Sequence, residues 1–460
     1  MRRISFLRAV GASVGGWLII LLASLSSAPN PLAAQERQKM VLTLDKAMQI
    51  ALEQNRDVLI ADQDRYKADA QVAEARSGAF PHLSFSAQYM RNINLPVIFL
   101  PANTPPFNPT SSTISFAIGS NNSYQSGLTL TQALYSRQVG VALDIANDYK
   151  DFSEAGYDAT RQSVVLQVKK AFYGVLLMQK LVEANRQGLD VVRANYENLQ
   201  ALYRHGQAAE FDLLRAEVQV ANTEPAVIST ENNLVLAVNG LKSVLSIPLD
   251  SNVVIEGDFT FDEVPEHVLD EGERDALNTN PSLQALAFQE SMLDKNISVE
   301  QAAYFPSVFA FGSYQFQTQD NTFQFNNYLW AKIFNVGVTL SWSIFDGLAT
   351  PARVEQARVD LKKVEYTRLK AEEGLKIQIQ SARLKMDEAK RRIEGQQKNI
   401  EEAKKALSIS ETRFKNGVGT QLELLDTQAA MTLAQTNYAQ AIYDYLVAKA
   451  DWDFAIGKFK

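Results

Sequence analysis

Few residues in this chain have the types and spacing that catalysis or metal binding requires. The 460 residues include no cysteine, and the three histidines, His82, His205 and His267, are far apart in the sequence. The absence of cysteine excludes thiol catalysis, iron–sulfur clusters, cysteine-ligated zinc and disulfides. No nucleophile–base set, phosphate-binding loop or metal-ligand spacing is present. We therefore expect no enzyme, no cofactor and no metal.

The polar residues that do recur in a fixed order belong to a turn motif that occurs twice. Tyr203–Gly206 corresponds to Phe414–Gly417 at an offset of 211, and an acid followed by two leucines comes shortly after each. Other landmarks repeat in the same order, with Phe80-Pro81 matching Phe305-Pro306 at an offset of 225. Repeated landmarks at nearly constant spacing indicate an internal duplication.

The duplication divides the chain into two repeats with the same plan, in which a charged helix is followed by a charge-poor strand pair and a long helical hairpin. We place the first repeat at residues 35–247, a linker at 248–272 and the second repeat at 273–460. The strand pairs are predicted at about 80–136 and 305–346, and the hairpins at about 137–246 and 350–457.

Residues 1–34 have the pattern of a secretory signal peptide. Arg2, Arg3 and Arg8 precede an uncharged apolar stretch that ends in small residues. The alternative is an uncleaved signal anchor, although the apolar stretch is short for a membrane span. Removal of three arginines and no acids would change the formal net charge from -7 to -10. An acidic chain is a poor nucleic-acid binder, and no row of basic residues with aromatic residues between them is present. Both observations argue against a nucleic-acid partner.

The charge-poor segments alternate with a period of two. Asn92–Ser136 contains no charged residue, and residues 301–345 contain only Asp320 and Lys332. Apolar residues alternate with small polar ones over Val336–Ile344, which is typical of a transmembrane β-strand. A soluble hairpin with one buried face is the alternative. Two strands per repeat give four per chain, fewer than the eight of the smallest transmembrane barrels, so we expect the chain to oligomerise.

The charge-rich segments contain apolar rows at a spacing of seven, which predict long antiparallel helices packed as coiled coils. Thr350-Pro351 predicts a helix start, and Pro225 predicts a kink in the returning helix of the first repeat. The rows are Val168, Val175, Val182, Leu189, Tyr196 and Tyr203 in the first repeat and Ile379, Met386, Ile393, Ile400, Leu407 and Phe414 in the second.

Strand pairs interleaved with two long helical hairpins, duplicated in an exported chain, resemble the TolC family of outer-membrane efflux and secretion channels. The resemblance covers about Leu42–Gly457 and rests on the Phe-Pro pairs and the two turn motifs. It implies an α+β membrane protein in the outer membrane of a Gram-negative bacterium, with a long periplasmic extension. In the implied homotrimer, three chains of four strands form a 12-stranded β-barrel above an α-helical barrel. The implied partners are outer-membrane lipid, a periplasmic adaptor protein and an inner-membrane pump of the RND or ABC type, for which the trimer is a passive exit duct.

The resemblance also implies roles for particular residues. Acids that ring the periplasmic constriction fall on Glu423 and Asp426, with Asp212 at the matching place in the first repeat. The alternative is that these acids only interact favourably with a helix dipole. In the best-studied secretion channel a tyrosine and an arginine help to lock the entrance, and Phe414 and Gly419 occupy those positions here. That lock cannot form in the same way.

Two further sets of residues are expected at interfaces. The hairpin tips are the expected adaptor contacts, since an exposed glycine turn between coiled coils has little else to bind. Their residues are Arg204, His205, Gly206, Lys415, Asn416 and Gly417. Aromatic residues in the strand segments are expected at the membrane interfaces, with a soluble core as the alternative. These are Trp330, Trp342, Tyr89 and Tyr314.

Two other functional classes remain open from the sequence. A structural periplasmic coiled-coil protein would explain the heptads but not the charge-free strands. A periplasmic adaptor subunit has one helical hairpin among lipoyl-like and β-barrel modules, whereas this chain has two hairpins and a duplication. The cargo stays undefined, and drugs, metals, siderophores and secreted proteins are all compatible with a wide duct.

Overall fold

The computed structural model describes residues 40–101 and 113–458, so the predicted signal peptide and much of the Pro-rich loop 96–109 lie outside the described residues. The first repeat contains β1 (Met40–Leu42), α1 (Leu44–Gln54), α2 (Arg56–Ser77), β2 (His82–Arg91), β3 (Val97–Leu100), β4 (Ile114–Ala117), β5 (Asn122–Tyr135), α3 (Arg137–Arg204) and α4 (Glu210–Val244). The linker and the second repeat together contain β6 (Val253–Ile255), α5 (Glu266–Thr279), α6 (Pro281–Gln301), β7 (Ser307–Asp320), β8 (Ala331–Ser341), α7 (Ala349–Lys415) and α8 (Gln421–Ala455).

The four long strands form one antiparallel sheet in the order β2-β5-β7-β8. The register aligns apolar residues across neighbouring strands, so that Leu83 lies opposite Leu130 and Phe85 opposite Leu128. This apolar face is open, since Phe85 and Val336 are each 70% exposed. The small polar residues, such as Ser84 opposite Thr129, lie on the other face. An apolar sheet face of this extent requires an apolar environment or a partner.

The charge-poor segment of the first repeat has four strands, β2 to β5, where the sequence predicted two. β3 and β4 form a separate antiparallel hairpin within the connection from β2 to β5, with Ile98 opposite Phe116. The two short apolar runs Val97–Leu100 and Ile114–Ala117 lie close together in the sequence and pair with each other. The sequence analysis assigned only one strand pair to residues 80–136 and therefore missed this hairpin.

The long helices are continuous over 68 residues in α3 and 67 in α7, about 100 Å at ~1.5 Å per residue. α7 packs against α8 and α3 against α4, and α3 also packs against α8 and α6. The heptad rows are buried in the middle of α3 and α7, for example at Val168 and Ile379, and become half-buried or exposed toward the tips. α4 continues as helix through Pro225. None of the described helices has the length and hydropathy needed to span a membrane.

Each repeat has its own apolar core beside the middle of its first long helix, at the level where the returning helix ends. In the first, Val168, Phe172 and Leu241 pack against α1 and the short strands, and in the second, Ile379 and Trp452 pack against α5 and α6. The parallel strands β1 and β6 join the start of the first repeat to the connection between repeats. The predicted linker 248–272 thus contains β6 and the first residues of α5.

The charged helix that opens each repeat is divided in two by a buried asparagine. Asn55 caps α2 through its side-chain oxygen, and its Nδ2 donates to the Val244 carbonyl at 2.7 Å. Asn280 caps α6 in the same way, and its Nδ2 donates to the Ala455 carbonyl at 3.2 Å. Val244 and Ala455 are 211 residues apart, so the duplicated sequence forms the same tether at the end of each returning helix.

The start of α7 differs from the sequence prediction, which placed a capping residue at Thr350. Gly347 and Leu348 both have positive φ, +71° and +68°, and this turn brings Asp346 back over the first turn of the helix. The Asp346 carboxylate accepts hydrogen bonds from the backbone N–H and the hydroxyl of Thr350, the former at 2.8 Å. These bonds hold the pKa of the Asp346 carboxyl below its ordinary value.

Removal of either tethering asparagine should destabilise the fold. Asn55→Ala and Asn280→Ala each remove a helix cap and a buried hydrogen bond, which together contribute about 2 kcal/mol. We expect a lower midpoint for thermal unfolding, followed by circular dichroism in detergent. The matched control is Asn278→Ala at an exposed position, which should leave the midpoint unchanged. An unchanged midpoint in both Asn55 and Asn280 variants would contradict the tether.

The Asp346 cap should depend on pH. Because its pKa is lowered in the folded state, its stabilisation is present above the unfolded pKa and is lost as the pH falls through the folded pKa. We expect amide hydrogen exchange in the first turn of α7, corrected for intrinsic rates, to rise over that acidic range. In Asp346→Ala it should be high at every pH, whereas Asp360→Ala, farther along α7, should behave as wild type. Equal protection in wild type and Asp346→Ala would show that the cap does not hold this turn.

Candidate functional site

The two hairpin tips reverse the chain with the same backbone motif. At the first tip the Gly206 N–H donates to the Tyr203 carbonyl at 2.9 Å, and at the second the Gly417 N–H donates to the Phe414 carbonyl at 3.0 Å. Both glycines have positive φ, +68° and +74°, the left-handed conformation that ends a helix in a Schellman motif. The repeated sequence motif is therefore a repeated helix terminus.

All residues expected to contact an adaptor are exposed at these tips. Tyr203, at the end of the first heptad row, is 41% exposed, while Phe414, its counterpart, is half-buried. Both tips present cationic side chains beside the glycine turn. The exposed set is Arg204, His205, Gly206, Lys415, Asn416 and Gly417.

Gly419 lies where no side chain fits. A Cβ built on it would lie 2.9 Å from both the Arg413 Cβ and the Phe414 backbone nitrogen. The Gly419 N–H also donates to the Arg413 carbonyl at 3.0 Å, which draws this residue onto the end of α7. The arginine that the family resemblance places in the entrance lock thus has no room at this position. The structure gives a steric reason for the departure that the sequence showed.

Arg413 holds the second tip together. Its guanidinium donates to the Val418 carbonyl at 3.3 Å and lies 3.6 Å from the Glu423 carboxylate. Leu202 occupies the matching place in the first repeat, so this ion pair has no counterpart there. Sequence reasoning missed Arg413, although a comparison of the two turns at an offset of 211 would have shown the difference.

The structure places the three proposed constriction acids at helix starts. Glu423 and Asp426 are exposed and three residues apart near the start of α8, so they lie on one face of that helix. Thr420 caps α8 by accepting from the Glu423 N–H at 3.2 Å. Asp212 is half-buried in the first turn of α4, on the other hairpin. Glu423 and Asp426 therefore form one acidic face, and Asp212 lies apart from it along the chain.

A polar seam lies between α3 and α8 above the tips. Gln428 of α8 approaches Gly188 of α3 beside a cavity of about 340 Å³. Asn195 lies seven residues beyond Gly188 on α3, and Gln421 lies seven before Gln428 on the antiparallel α8. Asn195, Gln421 and Gln428 are buried, and each has a side-chain atom without a protein hydrogen-bond partner among the described residues. Unpaired amides contribute less to the contact between two helices than apolar side chains in the same places would, so this level of the α3–α8 contact differs from the apolar cores.

The four aromatic residues expected at membrane interfaces lie at three levels of the sheet. Trp342 follows β8 at the helix-proximal end, where its indole donates to the Tyr304 carbonyl at 3.1 Å. Tyr89 and Trp330 lie at the opposite end of the sheet. Tyr314 lies opposite Leu128 and Phe334, near mid-sheet, which differs from the level expected of an interface residue. Period-two alternation gives the face of a residue but not its height.

The sequence analysis missed most of the aromatic cluster at the far end of the sheet. Tyr89 stacks on Tyr124 with ring centroids 4.8 Å apart, and Tyr124 contacts the rings of Phe325 and Tyr328 at 5.4 and 5.5 Å. Phe323 lies against Tyr89 at 6.5 Å. The connection from β7 to β8 therefore folds back over the sheet. The sequence shows that this connection is rich in aromatic residues, but it does not show that the connection folds back toward the strands.

Comparisons with known proteins agree with this architecture. The family model described as "Outer membrane efflux protein" matches residues 47–246 and 274–458. TolC of Vibrio cholerae is 23% identical over 337 residues, which cover 72% of this chain and 76% of the relative. The alkaline protease secretion protein AprF of Pseudomonas aeruginosa is 23% identical over 345 residues, covering 73% and 70%.

Solved structures show the same fold. The CmeC outer membrane channel of Campylobacter jejuni has a TM-score of 0.73 at 17% identity, covering 90% of this chain and 85% of that one. The open state of the MtrE outer membrane channel of Neisseria gonorrhoeae has a TM-score of 0.70 at 20% identity, covering 90% and 89%.

The fold and its open apolar sheet define a channel protein of the outer membrane with a helical periplasmic extension. The chain belongs to the outer membrane efflux protein family, of which TolC is a member. It is an outer-membrane exit duct of an efflux or secretion system, which confirms the function predicted from the sequence. Members of this family are channels rather than enzymes, and they work with periplasmic adaptors and inner-membrane pumps.

The close approach at Gly419 predicts opposite effects for two alanine substitutions. Gly419→Ala should distort the second tip at a cost of about 1–3 kcal/mol, because its methyl group overlaps Arg413 and Phe414. Trypsin cleavage after Arg413 and Lys415 should then become faster. Gly395→Ala, in the open middle of α7, should instead stabilise by about 0.5–1 kcal/mol and leave cleavage at the tip unchanged. Equal cleavage rates in Gly419→Ala and wild type would refute the steric assignment.

Proposed function

We propose that the chain acts as a homotrimer in which three four-stranded sheets close into a 12-stranded barrel. The support is that β2 and β8 are the edges of the sheet and keep unpaired backbone groups on their outer sides. An open edge is not tolerated in lipid, and one chain has too few strands to close alone. In a trimer, β2 of one copy pairs with β8 of the next. Every edge then has a hydrogen-bond partner, and the twelve strands are enough to close a barrel.

The helices support the same assembly. α4 packs mainly on α3, and its other side carries exposed apolar residues: Phe211, Leu214, Val218, Ile228, Val235 and Leu236. α7 carries a comparable set: Val359, Tyr366, Leu369, Ile377, Leu384 and Ile409. Exposed apolar rows on neighbouring coiled-coil helices require a helical partner. In the proposed trimer, these outer helices of adjacent copies pack on each other and form the periplasmic tunnel.

The trimer leaves the hairpin tips as the surface for a periplasmic adaptor, which joins the duct to an inner-membrane pump. Both tips are exposed glycine turns with basic residues, including Arg204 and Lys415. The relatives include a protein whose name specifies alkaline protease secretion, and the family name specifies efflux. Both uses fit a passive duct without a reaction of its own, in which the pump selects the cargo.

The exposed acids near the start of α8 form the proposed constriction. Three copies of Glu423 and Asp426 would place six carboxylates around the pore, which attract cations and repel anions. Arg413 lies 3.6 Å from Glu423 and offsets part of its charge, so Asp426 contributes the larger share of the field. Asp212 adds a more weakly exposed carboxylate from the other hairpin.

In the proposed duct, the entrance lacks the family's tyrosine–arginine lock. Gly419 excludes an arginine, and the polar seam of Asn195, Gln421 and Gln428 joins the two hairpins of each chain weakly. An adaptor bound at the tips needs only to separate this seam to widen the entrance. Opening then depends on buried amides rather than on one strong ion pair.

The single observation that carries the proposal is the sheet with one open apolar face and two unpaired edges, continued by two helical hairpins. It also separates the alternatives, since a periplasmic coiled-coil protein needs no exposed apolar sheet and an adaptor has a single hairpin. The test is fractionation of the expressed protein, with heat-modifiable trimers expected in the outer membrane. A monomer in the soluble periplasmic fraction would contradict the duct.

Charge selectivity in planar bilayers tests the constriction. Glu423→Gln/Asp426→Asn should reduce the preference for cations over anions, with a larger share of the loss in Asp426→Asn alone. Arg413→Gln should increase cation preference, because it leaves the Glu423 charge unbalanced. Glu217→Gln is the control, an exposed acid farther along α4. Unchanged reversal potentials in the double variant would remove these acids from the constriction.

A further inference from the structure

Two cations lie on the apolar, outward face of the sheet at the end farthest from the helices. Arg91 is the last residue of β2 and lies on the same side as Tyr89, two residues earlier. Lys332 is near the start of β8, on the side of Phe334 and opposite Phe316. Both side chains are exposed. With Asp320 they are the only charged residues in residues 91–136 and 301–345.

The placement of these cations is informative because the other face of the sheet is polar. A lysine or arginine facing the lumen would meet water, whereas one facing lipid is tolerated only near the interface. Both cations lie near strand ends, at the level of the distal interface. The Asp320 carboxylate, the third charged group of these segments, accepts two hydrogen bonds of 2.7 Å from Thr322.

The aromatic cluster fixes the height of the cations relative to the membrane. Tyr89 and Tyr124 lie on the outward face, and Phe323 and Tyr328 of the β7–β8 connection cover them. The Arg91 guanidinium lies over the Phe323 ring at 5.6 Å from its centroid. Tyrosine and tryptophan collect at the headgroup level of a membrane. The cations therefore lie at the headgroups of the outer leaflet and not within its hydrocarbon.

We propose that Arg91 and Lys332 bind the phosphate groups of an acylated glycolipid in the outer leaflet. Arginine and lysine are the side chains best suited to phosphate, and the apolar residues below them on the same face suit the acyl chains. Arg91 is on edge strand β2 and Lys332 on edge strand β8. In the trimer of the proposed function, on which this arrangement rests, each seam between copies joins the two kinds of edge. One lipid phosphate site then forms at each of three seams.

Native mass spectrometry of the purified protein tests this site. The protein in detergent is titrated with lipid A that carries two phosphates, and separately with the same lipid after removal of its phosphates. We expect wild type to bind the phosphorylated lipid at least tenfold more tightly. Arg91→Gln/Lys332→Gln should lose about 25-fold in that affinity, or about fivefold per cation, and bind both lipids alike. Lys332→Arg, which retains the charge, should keep the preference.

The controls separate this site from general charge and from assembly. Arg391→Gln/Lys404→Gln removes the same charge from exposed positions on α7 and should keep the wild-type preference. Equal affinity of wild type for the two lipids, or an unchanged preference in the Arg91/Lys332 double variant, overturns the proposal. Displacement of the lipid by excess inorganic phosphate alone would also overturn it, since the site would then select free anions. Trimers of each variant are checked on heated and unheated gels, so a failure of assembly is distinguished from a failure of lipid recognition.

Discussion

A β-strand in lipid must find a hydrogen-bond partner for each backbone N–H and C=O group, because no water is present to replace one. This constraint governs the whole molecule. Within the chain, β5 and β7 are hydrogen-bonded to a neighbouring strand on both sides. The outer strands β2 and β8 each have a neighbour on one side only. The duplication is one solution, since each repeat supplies a strand pair and the helical hairpin that carries it. Oligomerisation supplies the rest.

In the helical part, the same asparagine hydrogen bond fixes the end of the returning helix in both repeats. Asn55 and Asn280 cap the second helix of each pair and bind the last turns of α4 and α8. The cores around Phe172 and Trp452 are therefore fixed at the same level in both repeats, and Phe259 packs against both. The tips lack such a core. Asn195, Gln421 and Gln428 occupy core positions there and leave polar atoms unpaired, so the structure is most rigid at the level of the two cores and more adaptable near the entrance.

The sequence predicted those features that depend on periodicity. The heptad rows placed α3 and α7 to within a few residues, and the alternation in Val336–Ile344 identified the apolar face of β8. Features that depend on where the chain turns were missed. Asp346 caps α7 only because Gly347 and Leu348 adopt positive φ, and Phe323 covers Tyr89 only because its loop folds backward. Tyr314 illustrates the same limit, since alternation gives its face but not its height.

Because α7 continues without a break beyond the second core, a small tilt of this helix produces a large displacement of its tip. Ile393 is the last buried member of its heptad row, and α7 extends 22 residues beyond it to Lys415, or ~33 Å at ~1.5 Å per residue. A tilt of about 10° at Ile393 would therefore displace the tip by roughly 6 Å. The part of α7 beyond Ile393 would therefore move as one rigid rod about the apolar core. A partner that grips only the last turn can thus change the width of the duct without disturbing the strands in the membrane.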